Sequence, residues 1–185
     1  PDKENFGRIV IEIPKNELID SVIDQLTSFR DLVEQEGGSL HHIKPHGALY
    51  NKASINLEVA QIFVSAILDA EMKHPIYCQE GSILDEVIVD AGLYPIYEVF
   101  ADRAYENDLS LRSRKLEGAI IYDKEEVFEH IHRMILDGNV KTYSGLIRPI
   151  RAQTICLHSD TEGSIKLAKE INRYFKANGV NFASA

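Results

Sequence analysis

Between residues 16 and 36 the apolar side chains Leu18, Val22, Leu26, Phe29 and Val33 return every three or four positions, and Gly37-Gly38 end the pattern. That spacing marks one face of a helix. A second helix is predicted from Asn56, carrying Val59, Phe63, Ile67 and Ala70. SILDEVIVDAG predicts a third, with Ser82 as N-cap and Gly92 just past the C-terminus. Asp123 and Glu126 form a capping box ahead of Val127, Ile131 and Ile135, and Gly138 closes that helix. A last helix uses Ile165, Ala168, Ile171 and Phe175 and stops near Gly179. Between the helices lie short runs of strand character: SLHHIKPHG, HPIYCQE, YPIYEVFAD, AII, VKTYSG and AQTICLHSD. Pro75 opens one of them, where a missing N–H does least harm. Residues 102–118 are polar, lack a clear period and form the longest predicted loop.

Strand and helix alternate about five times at the spacing of βα units. The expectation is an α/β fold, parallel strands with crossover helices, in a single domain over residues 1–185. A 44% hydrophobic content over 185 residues is enough for one sizeable core. The net charge of −9, with no Lys/Arg run to track a phosphate backbone, argues against a nucleic-acid partner. No apolar stretch approaches the ~20 residues that span a bilayer, so no membrane association is expected. With only Cys78 and Cys156, far apart, and no export leader, a reduced cytoplasmic setting is expected. Both cysteines read as strand hydrophobes rather than nucleophiles. P-loop, G-x-G-x-x-G, G-x-S-x-G, H-E-x-x-H and C-x-x-C patterns are absent.

In parallel α/β folds, ligands bind beyond the C-terminal ends of the strands. The strand near Ile43 runs into Lys44, His46, Tyr50 and Asn51, and the strand near Tyr77 into Gln79 and Glu80. The strand near Val99 carries Glu98 and runs into Asp102, Arg103 and Tyr105; the strand near Ile155 runs into His158, Ser159 and Asp160. The expectation is that these four ends deliver their groups to one rim. Pro45 keeps Lys44 out of the α region, and Gly47 lets the backbone turn after His46. Plainer roles compete. One of His41 and His42 would face a helix and the other solvent, and His74, His130 and His132 would lie at the surface. Asp102 and Arg103 would pair with each other, and Asp160 would cap the last helix.

The segments KPHGALYN (44–51), EVFADRAYENDLSLRSRKLEGAII (98–121) and QTICLHSDT (153–161) resemble three signature blocks of the LamB/YcsF family. The resemblance implies a deviant (β/α) barrel of the glycoside hydrolase/deacetylase type. It implies the A component of an ATP-dependent 5-oxoprolinase, which opens the lactam of 5-oxoproline to L-glutamate with hydrolysis of ATP. ATP would bind here or at a partner, a divalent metal is left open, and the partners would be the B and C components. By position in the blocks, His46, Asp102, Lys44 and His158 would be catalytic. Arg103, Asn51, Tyr105 and Asp160 would bind substrate, with no metal ligand assigned. Ser159 stands where the family pattern has Gly. The opening PDKENFGR resembles the tail of a His-Pro-Gly-Tyr-Pro-Asp loop, so the family's first strands are expected to lie outside this sequence. A full barrel takes ~250 residues; the edges so left open invite pairing with a second copy, a homo-oligomer. The rival readings are a metal-dependent deacetylase-like hydrolase and a non-catalytic substrate-binding component.

Overall fold

The computed structural model describes residues 3–5, 7–159 and 163–183. The chain divides into two compact units, Pro1–Tyr97 and Glu98–Ala185. Both mix parallel strands with helices, as the alternating pattern predicts.

In the first unit, helix α1 spans Lys15–Gln35, α2 Gly47–Ile55, α3 Leu57–Asp69 and α4 Ile83–Asp90. Strand β1 is Ile76–Cys78, and β2 is Pro95–Phe100. The first half of β2 pairs in parallel with β1, Ile76 opposite Pro95 and Cys78 opposite Tyr97. The predicted SLHHIKPHG strand reduces to a single parallel bridge from Ile43 to Ile76. The core gathers around α3, whose Ala60, Phe63, Val64, Ala66 and Ile67 are buried with Val22, Ile76, Leu84 and Ile88. Alanines at 53, 60 and 66, each fully buried, leave room for close helix packing. The predicted Ser82 cap forms, its Oγ accepting from Asp85 N–H at 3.2 Å, and the helix predicted from Asn56 is capped by that residue, whose Oδ1 accepts from Val59 N–H at 3.0 Å.

Two departures concern this unit. Phe29 lies on the predicted apolar face of α1 yet is 59% exposed, because the helix runs on past the core it packs against. Helix α2 escaped prediction, since its nine residues are too short to display a period. Its start is fixed from outside: Ala48 N–H donates to Gly7 O at 2.8 Å. Gly47 sits at φ +60°, and a Cβ there would meet Gly7 O at 2.4 Å, so only glycine fits.

In the second unit, the last half of β2 pairs in parallel with β5, Thr154–Cys156, Glu98 opposite Thr154 and Phe100 opposite Cys156. Helix α5 spans Lys124–Ile135, and the Asp123 carboxylate caps it by accepting from Glu125 and Glu126 N–H. VKTYSG does not join a parallel sheet. Its strand β3, Asn139–Lys141, forms an antiparallel hairpin with β4, Ile147–Pro149, a geometry that a short connection such as 142–146 imposes. Helix α6 spans Ser164–Ala177 behind Gly163 at φ +76°. Asp160, expected to cap it, lies outside the described residues.

The polar loop 102–118 is an ordered, arginine-stapled structure. Arg103 is 4% exposed and donates from Nε to Ala119 O at 3.2 Å and from Nη2 to Arg112 O at 2.6 Å. Arg112 in turn donates to Glu117 O and to the Glu106 carboxylate, and lies 3.5 Å from the Tyr143 ring centre. Hydrogen bonds and a cation–π contact replace apolar periodicity as the source of order.

Candidate active site

The register of β2 and β5 builds the site. The parallel pairing sets residues 56 positions apart side by side, Glu98 with Thr154 through Phe100 with Cys156. Beyond the last pair, Ala101 N–H donates to Cys156 O at 2.9 Å, so the alignment continues. Asp102 and His158, each two residues past its strand, keep the same offset and meet: His158 Nδ1 is 2.8 Å from Asp102 Oδ1 and 3.1 Å from Oδ2. The Asp102 side chain is 2% exposed and that of His158 26%. The imidazole also stacks on Phe100, centroids 5.9 Å apart and planes 19° from parallel.

The turn that carries Asp102 is pinned along its length. Phe100 N–H donates to the Tyr105 hydroxyl at 2.9 Å, Ile121 N–H to Asp102 O at 3.0 Å, and Ala104 N–H to Ala119 O at 3.1 Å. Tyr105 is fully buried, and burial drives its hydroxyl well above the ordinary phenol pKa, so it stays neutral. Burial, and then the nearby Arg114, lowers the Arg103 guanidinium from its usual value. The expected pairing of Asp102 with Arg103 is replaced: Asp102 faces His158, and Arg103 serves the backbone of its own loop. Arg103 and Tyr105, assigned to substrate by position, are thus placed as buried supports of this turn.

The first signature block belongs to the other unit. His46 is the residue before α2, exposed, with extended backbone and no side-chain cap on the helix. Lys44 is half-buried, its Nζ 5.9 Å from the Tyr50 ring centre, and Asn51 is exposed on α2. His42 stacks flat on Tyr77 at 3.8 Å, and His41 Nδ1 lies 3.2 Å from His42 Nδ1. Burial, then His41, Lys44 and His46, lower the His42 pKa.

Sequence reasoning missed His130. Expected at the surface, it is 7% exposed, with its Nε2 buried and unpartnered and its ring 5.8 Å from that of Tyr105. Burial pushes its pKa down to about 4, opposed by hydrogen bonding to the backbone of Arg103 and Phe100. The signal was present: His130 follows Val127 by three and precedes Met134 by four, on the apolar face of α5. His74 is half-buried, and His132 keeps 38% of its side chain exposed. Among the described residues, no group of three or more His, Cys, Asp or Glu is arranged to hold a metal ion. Nor is any helix among them long and apolar enough to cross a membrane.

The sequence profile of the LamB/YcsF family matches residues 1–185. The chain belongs to the LamB/YcsF family. Its relatives include the 5-oxoprolinase A subunit of Bacillus cereus, 37% identical over 188 residues, covering 100% of this chain and 73% of that protein. The protein of the same name from Bacillus cytotoxicus is 36% identical over 97% of this chain and 71% of its own length. That of Acinetobacter baumannii is 37% identical, with 97% and 71% covered. In fold, this LamB/YcsF chain is similar to a crystal structure of a lactam utilization protein from Thermus thermophilus. The TM-score is 0.90 at 31% identity, covering 100% of this chain and 74% of that one.

Proposed function

We propose that this chain acts as the A component of an ATP-dependent 5-oxoprolinase, opening the lactam of 5-oxoproline to L-glutamate in the cytoplasm together with the B and C components. The observation that carries the reading is the buried Asp102 carboxylate on His158 Nδ1. The relatives named as 5-oxoprolinase A subunits and as a lactam utilization protein supply the substrate class. In this reading the fold is a deviant (β/α) barrel.

A lactam is a resonance-stabilised amide, and a five-membered ring adds little strain to help open it. Coupling to ATP supplies the drive: phosphorylation of the amide oxygen makes the carbonyl carbon electrophilic, on this chain or on a partner. One water then opens the ring, and a second releases phosphate. Asp102 is suited to accept Nδ1–H of His158, which fixes the tautomer and leaves the Nε2 lone pair for a proton. His158 would take a proton from the attacking water and return it to the ring nitrogen as it leaves. Lys44, His46 and Asn51, with Asp160, keep the catalytic and substrate-binding assignments that the family resemblance gives them by position.

The test is ATP-dependent glutamate release by the chain combined with the B and C components. Wild type is expected to turn over, and Asp102→Asn to lose nearly all activity. Unchanged turnover in that variant would remove the pair from the mechanism, and normal turnover in His46→Ala would remove His46. Failure to copurify with B and C would end the partner claim.

A further inference from the structure

Two side chains from the end of one strand hold the His158 imidazole from different directions. Phe100 and Asp102 stand two residues apart, the spacing that puts side chains on one side of an extended chain, and both reach His158. The register makes this possible: Phe100 lies opposite Cys156, and His158 follows two residues later. Asp102 meets the ring at its edge, through Nδ1 at 2.8 Å. Phe100 lies along its face, centroids 5.9 Å apart and planes 19° from parallel, an offset stack within the range of favourable ring pairs. A hydrogen bond at one atom fixes a point of the ring and lets the rest swing about it. A stacked neighbour fixes its plane. Phe100 is itself held in place: it is 4% exposed, and its N–H donates to the buried Tyr105 hydroxyl at 2.9 Å. His158 still keeps 26% of its side chain exposed, so the ring is reachable from solvent.

The face of a phenyl ring is electron-rich and attracts a cation within about 6 Å of its centre. A neutral imidazole gains little from it. An imidazolium gains from that face and from the Asp102 carboxylate at once. A leucine would fill much of the same space but has no π electrons to offer. We propose that Phe100 is a positioning residue for His158: its ring holds the plane of the imidazole and stabilises the positive charge that arises when Nε2 takes a proton. In the oxoprolinase reaction that proton leaves the attacking water, whose oxygen bonds to the activated carbonyl carbon. It then passes from Nε2 to the departing ring nitrogen. The charge exists only between those two transfers, so Phe100 lowers the barrier without tightening substrate binding. The consequence for turnover rests on the oxoprolinase reading; the consequence for the His158 ring does not.

Fluorination separates charge stabilisation from packing, because each fluorine draws electrons from the π face with little change of shape. Phe100 is replaced by mono-, tri- and pentafluorinated phenylalanine. The readouts are kcat and KM for ATP-dependent glutamate release with the B and C components, and the rate at which diethyl pyrocarbonate acylates His158. Acylation, followed by mass spectrometry, builds positive charge on the ring as the Nε2 lone pair attacks, and it needs no turnover. Exposed His41 is the internal control. Expected is a stepwise fall in kcat and in the His158 acylation rate, about tenfold in total at the pentafluoro ring. KM should stay within about twofold, and the His41 rate should not change. Packing alone predicts a flat series, and a flat kcat or a flat acylation rate across folded proteins overturns the proposal. If the pentafluoro protein does not fold, the mono- and trifluoro steps decide in the same way. Phe100→Leu, which removes the face altogether, is expected to lower kcat at least as far; a kcat within about twofold of wild type in folded F100L also overturns it. Should wild type release no glutamate while acylation of His158 still slows with each fluorine, the oxoprolinase reading falls and the role of Phe100 stands.

Discussion

Two strand-to-loop turns hold the residues of the proposed site, and they are built in opposite ways. At residues 43–50 the ionisable groups stand outward: His46 is exposed, Lys44 half-buried, and the turn is fixed by a backbone contact from Gly7 that touches neither. At residues 98–105 they are turned inward: Asp102, Arg103 and Tyr105 are 4% exposed or less, and each has a named partner in the protein. The first turn leaves His46 open to solvent. The buried turn offers direction, because Asp102, Arg103 and Tyr105 are held by partners within the protein.

The difference predicts unequal sensitivities. Asp102→Asn, which keeps shape but favours the wrong His158 tautomer, is expected to lower turnover by about 10³–10⁴-fold by the precedent of buried aspartate–histidine pairs. His46→Ala is expected to lower it about tenfold, and equal losses in the two variants would erase the distinction. For stability, Arg103→Leu removes charge-assisted donors from one buried and one part-buried carbonyl and is expected to cost about 4 kcal/mol in urea unfolding. Lys44→Leu is expected to stay within about 1 kcal/mol of wild type. Gly47→Ala, forced into a left-handed conformation and against Gly7 O, is expected to cost about 2 kcal/mol; a smaller loss would mean that the 7–8 segment gives way.

A pH scan probes the buried turn through His130. Its folded pKa is held down to about 4 against an ordinary 6.5, so between these values the unfolded chain binds a proton that the folded chain refuses. Stability contributed by the neutral ring is thus complete above about pH 6.5 and lost as the pH falls toward 4. Asp102 opposes the shift, and the neutral Tyr105 ring lies alongside. The loss is expected to be about 2 kcal/mol over that window, measured by urea unfolding at several pH values, and His130→Asn should flatten it. Among the smaller effects, Ser82→Ala removes a helix cap distant in sequence from both turns and should cost about 1 kcal/mol with turnover unchanged.

Much of the fold was legible because helices advertise themselves. Asn56, Ser82 and Asp123 cap where polar residues precede apolar periods, and the strands at Tyr77, Val99 and Ile155 lie where short β-branched and aromatic runs put them. The hairpin of β3 and β4 was missed as a pairing because GLIRPI ends a strand with proline and is exposed along β4, so it shows no alternation. Asp102 and His158 were legible as strand-end groups, but their contact was not, since register is a property of two strands at once. Arg103 read as a ligand for an anion because its backbone carbonyl partners, Arg112 and Ala119, carry no sequence signature. His130 was misplaced by residue type overruling period.

The shared offset of 56 between the β2 and β5 partners makes the pair indifferent to what separates the two strands along the chain. Segments between residues 122 and 152 can lengthen or shorten without changing the register that joins the acid to the imidazole. Inserting one residue between Phe100 and Asp102, or between Cys156 and His158, would instead swing one of them to the opposite side of the backbone. Natural variation in loop length is therefore free to remodel the surroundings of this pair, while the two-residue steps that lead to it stay fixed.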